Sequence, residues 1–147
     1  MNVETKQFTF PCGEPHIQLL DPVPSVVDFE WNFTKAADIV TLMLFGDAVR
    51  RAGSRISTLT IPYVPFGRQD RINAPGEPLS IAVMARVIND LRAERVVITD
   101  PHSDVTAALI SRCVVIPQHE VFRARFPIDT KTTVLISPDG GALKKIY

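Results

Sequence analysis

STLTIPYVPFGRQDRINAPGEPLSIAVMARVINDLRAERVVITD, residues 57–100, decides how the chain is organised. It opens on an apolar run, STLTIPYV (57–64), whose composition predicts a strand. A charged loop follows. Apolar positions then recur at three- and four-residue spacing over 79–93, which predicts an amphipathic helix. RVVITD (95–100) closes the stretch as a second, continuously apolar strand. Between the two runs lies IPYVPFGRQDRINAPGEP (61–78), where Arg68, Asp70, Arg71 and Glu77 sit among prolines and glycines.

The same alternation extends on both sides. VVDFEW (26–31) alternates as a strand does. Residues 35–52 carry a helical apolar period that Gly53 stops. Downstream, 104–110 reads as a short helix, CVVIP (113–117) as a strand, 119–126 as a short helix and 132–139 as another apolar strand. GGALKKIY then begins a helix. At the N-terminus, 3–10 and 16–20 read as two short strands punctuated by Pro11 and Gly13. Buried strands alternating with amphipathic helices predict an α/β fold. Its mostly parallel sheet is expected to carry helices on both faces, within a single domain spanning 1–147.

Composition narrows the function classes. The chain has 147 residues, 46% hydrophobic, and a formal net charge of zero. A core is expected, while a broad nucleic-acid footprint or a polybasic membrane patch is not. The start, MNVETKQF, lacks the charged-then-apolar plan of a signal peptide, and no apolar run approaches a membrane span. Cys12 and Cys113 form no C-x-x-C pair and read as free thiols of a cytoplasmic protein. His16, His102 and His119 have no zinc spacing.

In a parallel α/β sheet the functional surface lies at the carboxyl ends of the strands. The polar clusters fall there. Arg68-Gln69-Asp70-Arg71 follows strand 57–64, Asp100 and His102 follow strand 95–100, and Asp139-Gly140-Gly141 follows 132–138. Arginine offers a planar fork of donors for phosphate, and glutamine can both donate and accept at a base edge. A solvated loop in which Arg68 and Arg71 pair with Asp70 and Glu77 is the plain alternative. His102 could ligate a divalent cation, or be an ordinary hydrogen-bonded loop residue. SPDGG (137–141) suits either an anion at a helix start or a simple turn. FPCGEP (10–15) reads as a hairpin connection.

In order, FPCGE (10–14), IPYVPFGRQDR (61–71), EPLS (77–80), DPHS (100–103) and SPDGG (137–141) resemble ribose-phosphate pyrophosphokinase, also called phosphoribosyl pyrophosphate synthetase. The resemblance covers residues 8–141, and the RQDR loop is its most specific part. It implies a phosphoribosyltransferase-like fold, with this chain as the N-terminal half of a two-half enzyme. The family transfers diphosphate from ATP to ribose 5-phosphate with Mg2+, and assembles as dimers and hexamers. By resemblance, Arg68 and Gln69 contact the nucleotide, and Asp70 and Arg71 shape the loop. Phe10 and Glu14 reach the adenine from a neighbouring subunit, and His102 and Asp139 hold magnesium.

Departures from the family pattern shape the expectation. The family's C-terminal half supplies a Lys/Arg loop and a ribose-phosphate loop of the D-T-G-G-T kind, and neither occurs here. The expectation is therefore an ATP-binding half with no catalytic residue of its own, inactive in isolation and a fragment of a longer enzyme. A non-catalytic regulatory or assembly subunit is the alternative, and an unrelated α/β domain binding another phosphorylated ligand is a third. Cys12 stands where the family usually has an acid against the base. Residues 72–76 lack the usual basic residues and serine, and VTAAL (105–109) departs from the usual subunit-contact sequence.

Overall fold

The computed structural model describes residues 3–20, 22–126, 129, 131–134, 136, 137 and 140–143. Two antiparallel strands, β1 (Thr5–Thr9) and β2 (Pro15–Leu19), form a hairpin. Four parallel strands follow in sequential order: β3 (Val26–Glu30), β4 (Arg55–Ile61), β5 (Arg95–Thr99) and β6 (Cys113–Ile116). Their connections contain α1 (Ala37–Arg51), α2 (Ser80–Asp90) and α3 (Asp104–Leu109). Two further helices, α4 (Gln118–Arg125) and α5 (Gly140–Leu143), complete the described elements.

The helices form where the sequence spacing places them. In α1 the buried positions are Leu42, Phe45, Gly46 and Val49; in α2 they are Ile81, Met84, Ala85 and Ile88. Both sets follow the i, i+3, i+4, i+7 stripe of a helix that covers a core on one side. Phe45 stacks on Phe29 of β3 with ring centroids 3.8 Å apart. Gly46 allows α1 to approach the end of α2: a Cβ there would lie 3.2 Å from Leu91 Cγ. Asp38, in the first turn of α1, accepts from the Thr34 amide (2.7 Å), the Thr34 hydroxyl (2.7 Å) and the Lys35 amide (2.8 Å), which fixes where the chain enters that helix.

Register divides the sheet into unequal faces. Phe29 lies opposite Leu59, Leu59 opposite Val96, and Ile61 opposite Ile98, and these side chains share the face that holds the core. Thr58, Thr60 and Val114 lie on the other face, where burial is partial. Sequential strand order with right-handed crossovers lays α1, α2 and α3 side by side on one face, and the α1–α2 and α2–α3 contacts agree. The α/β class and the parallel sheet are as expected. Among the described residues Val114 and Val115 of the edge strand β6 are exposed. The sheet starts and ends with edge strands β3 and β6, and β2 packs against α1 rather than joining it.

One predicted strand is not found among the described residues. The described residues among 132–139 lie outside any strand, and Val134 and Ile136 are 83% and 82% exposed. An apolar run becomes a strand only when a neighbour supplies its ladder and covers its faces, and the exposed Val134 and Ile136 have no such cover among the described residues. The cysteines are free, as expected, and burial pushes the Cys113 thiol up. No helix among the described residues is long and apolar enough to cross a membrane.

Candidate functional site

Neighbouring parallel strands deliver their exits to the same edge. Because Ile61 lies opposite Ile98, the loops after β4 and β5 leave the sheet side by side. The exit of β6 joins them through the Asp100 amide, which donates to the Ile116 carbonyl at 2.9 Å. Tyr63, Val64, Gly67 and Arg68 from the first loop and Thr99, Asp100, Pro101 and His102 from the second line a cleft of about 250 Å³. That is below the roughly 300–1,000 Å³ common for whole small-molecule sites. A ligand carrying both phosphates and a base must extend beyond it.

Both loops hold strained backbone. Phe66 has φ 64° and Asp100 has φ 42°, left-handed values that cost free energy for a residue with a side chain. Such strain persists only where packing enforces it. Gly67 shows the packing: a Cβ there would come within 3.3 Å of the Val64 carbonyl oxygen, 3.7 Å of Thr106 Oγ1 and 3.9 Å of His102 Cβ. The Gln69 amide donates to the Phe66 carbonyl (2.9 Å), and the Gln69 carbonyl accepts from the Ile81 amide (3.4 Å), which ties the loop to the start of α2.

The charged residues divide by environment. Arg68 and Gln69 are exposed, and Arg68 makes no ion pair among the described residues. The Asp70 side chain is only 12% exposed. The Ser103 hydroxyl beside it, helped by Arg71 and His102, holds its carboxyl below the usual range against the opposing effect of burial. Arg71 Nε lies 3.7 Å from Asp70 Oδ1. Glu77 turns away from the arginines and accepts from the amides of Asn73 (2.9 Å) and Ala74 (3.2 Å). The solvated-loop pairing is thus half present: Asp70 meets Arg71, while Glu77 shapes the backbone and leaves Arg68 available.

The structure therefore brings Arg68 and His102 into one cleft, with Asp70 beneath the loop. Phe10 and Glu14 do not line it. They occupy the hairpin turn, where the Phe10 amide donates to the Glu14 carbonyl (2.8 Å), the Gly13 amide donates to the Phe10 carbonyl (2.8 Å), and Gly13 adopts φ 90°. Phe10 is 43% exposed and packs near Phe8 (5.0 Å between centroids) and His16 (5.8 Å). Asp139 lies outside the described residues. Among the described residues no three His, Cys, Asp or Glu side chains gather as a metal site. A magnesium ion held mainly by phosphate oxygens needs only one or two protein ligands, so the donors present suit a metal that arrives with a nucleotide.

Sequence reasoning passed over Tyr63, Ser103 and Thr106. Tyr63 continues an aromatic row from Trp31 through Phe33, with centroids 6.0 and 6.4 Å apart. Its place at a strand exit was the available signal. Ser103 and Thr106 carried none, because their importance depends on the neighbouring loop.

Three comparisons bear on this geometry. Residues 27–91 match the family model described as the N-terminal domain of ribose phosphate pyrophosphokinase. The ribose-phosphate pyrophosphokinase of Pyrococcus furiosus is 27% identical over 98% of this chain and 51% of its own length. That of Mycoplasma genitalium is 31% identical, over 92% of this chain and 43% of its own. The chain thus spans about half the length of these curated relatives. The crystal structure of phosphoribosylpyrophosphate synthetase from Mycobacterium smegmatis shares the fold, with a TM-score of 0.70 at 21% identity, over 83% of this chain and 42% of that one. Sequence and fold agree that the chain is similar to the N-terminal half of ribose-phosphate pyrophosphokinase.

Proposed function

We propose that this chain is the ATP-binding half of a ribose-phosphate diphosphokinase, an enzyme that moves diphosphate from ATP to ribose 5-phosphate. The observation that carries the reading is the convergence of Arg68 and His102, from the exits of β4 and β5, on one cleft. Arg68, which makes no ion pair among the described residues, offers its guanidinium fork to phosphate oxygens. Gln69 stands next to it for the base or sugar, and Asp70 and Arg71 hold the loop in shape. His102, with Asp139, would meet magnesium carried on the phosphates; the ion's chemistry there is neutralisation of phosphate charge.

Diphosphoryl transfer depends on positioning and charge more than on a protein nucleophile. The chain's own contribution is to bind and orient the donor. The cleft is too small for a whole nucleotide, which supports a shared site: Phe10 and Glu14 at the exposed hairpin turn of a second copy would complete the base pocket. The reading therefore includes self-association, and it assigns no catalytic side chain to these 147 residues.

Calorimetric titration of the chain with Mg-ATP, against Mg-GTP, tests the proposal. Saturable binding that prefers ATP is expected. A folded sample that takes up neither nucleotide would overturn it in favour of a regulatory or assembly subunit. Addition of ribose 5-phosphate to the ATP-loaded chain is expected to give no product.

A further inference from the structure

The exit of β3 reaches the same edge as the exits of β4 and β5. The Trp31 amide donates to the Thr60 carbonyl at 2.8 Å, which extends the β3–β4 pairing beyond Glu30. Trp31 is buried, and its indole Nε1 donates to the Asp38 carbonyl at 3.2 Å, so the ring is held at the start of α1. From it a row of rings runs outward. Phe33, half-buried against the core, meets Trp31 edge-on with centroids 6.0 Å apart, and Tyr63 lies 6.4 Å beyond Phe33. Tyr63 is 58% exposed, yet it lines the cleft together with Arg68, Asp100 and His102. The cleft thus has a charged part and an aromatic edge, and that edge is backed by rings that lead into the core.

We propose that Tyr63 is a sugar-binding residue: the C–H face of a phosphorylated ribose lies on its ring while the attached phosphates reach Arg68. In naming a nucleotide as the ligand, the inference rests on the function proposed above. A cleft of about 250 Å³ holds phosphates and little more. Along a nucleotide the ribose follows the phosphates, so a group bordering the cleft meets the sugar before the base. A ribose is two-faced. Its hydroxyls need water or hydrogen bonds, while its C–H groups carry a small positive charge that suits the negative face of an aromatic ring. A tyrosine offers that face at low ordering cost, because its ring turns about only two angles, and Phe33 packs beside it. The base is left to the arm of a second copy. Ribose 5-phosphate carries the same sugar and phosphate, so this chemistry has two sources.

Calorimetry and nuclear magnetic resonance of the 147-residue chain test this, with Mg-ATP, inorganic Mg-triphosphate and ribose 5-phosphate as probes. Tyr63→Ala is expected to weaken Mg-ATP binding about fivefold, the scale of one lost ring contact. Tyr63→Phe should restore it, because the ring and not the hydroxyl meets the sugar. Triphosphate has no sugar and should bind all three chains alike. The chain holds two tyrosines, Tyr63 and Tyr147. Protonated tyrosine rings in an otherwise deuterated chain should therefore show cross-relaxation to the ribose protons of bound ATP, and Tyr63→Ala should abolish it. The same contacts with ribose 5-phosphate in place of ATP would keep the proposal and assign the sugar to the acceptor. Unchanged affinity for both ATP and ribose 5-phosphate in Tyr63→Ala, an equal loss for triphosphate, or ring contacts with adenine protons alone would overturn it. If the unaltered chain binds ATP and Tyr63→Ala changes nothing, only this inference falls. If it binds none of the probes, the proposed function falls with it.

Discussion

The two regions proposed to meet nucleotide, the cleft loop 62–71 and the hairpin turn 10–14, are built in opposite ways. The cleft loop rests on buried strand ends: Ile61 and Ile98 beneath it are fully buried, and its strained Phe66 is locked by Gly67 packing against the next loop. The hairpin turn is held by its own two backbone bonds and presents exposed aromatic rings. The first is a rigid wall. The second is a projecting arm whose rings, Phe8 and Phe10, meet one another and His16. A site assembled from both needs the wall to fix the phosphates and the arm of another copy to cover the base.

The contrast predicts a graded set of outcomes. Ile61→Ala should have the largest effect, a loss of about 2–5 kcal/mol in unfolding free energy, because it opens a cavity under the wall. Phe10→Ala, by contrast, should shift the same urea midpoint by no more than about 0.5 kcal/mol, as an exposed substitution does. Equal losses at the two positions would erase the distinction. Arg68→Ala should leave stability unchanged and weaken Mg-ATP binding by about 1.5–3 kcal/mol, read by calorimetry. A loss of a few tenths would mean that the guanidinium is merely solvated.

Phe10→Ala should weaken Mg-ATP binding by a smaller amount, about 0.5–1.5 kcal/mol, and only at concentrations where sedimentation shows self-association. An effect that persists in a monomeric sample would place the arm in its own subunit's site. The smallest effect concerns pH. Because folding holds Asp70 below the ordinary carboxylate value, the unfolded chain binds the extra proton first as pH falls. The resulting stabilisation is complete above the ordinary value and disappears as pH drops through the folded one. Asp70→Asn should therefore flatten the acid limb of a stability profile and change little near neutrality. An acid limb of unaltered slope would mean that folding does not hold Asp70 below the ordinary value.

The legible parts of the fold were those whose signal is local. The stripes of α1 and α2 and the apolar runs of β4 and β5 sit within three residues of their expected bounds. The described residues of the run at 132–139 form no strand, because a strand is a property of a pair and the exposed Val134 and Ile136 carry propensity alone. Alternation reveals that helices pack on a sheet, but strand order decides on which side each lands. In the candidate site, Arg68 and His102 were legible because residues at strand exits must gather at one edge. Ser103 and Thr106 were not, since a serine and a threonine in a short helix look like an ordinary cap.

By itself, then, the sequence determined the elements, the parallel class, the edge where polar groups gather and the kinship carried by the RQDR loop. Apolar period and strand-end chemistry are encoded residue by residue. Only the tertiary structure decided that Asp70 is enclosed while Arg68 is exposed, that Glu77 serves the backbone, and that Phe10 and Glu14 stand outside the cleft. Those outcomes depend on which loops pack against each other, and packing between segments distant in the chain leaves no trace in the spacing of either one.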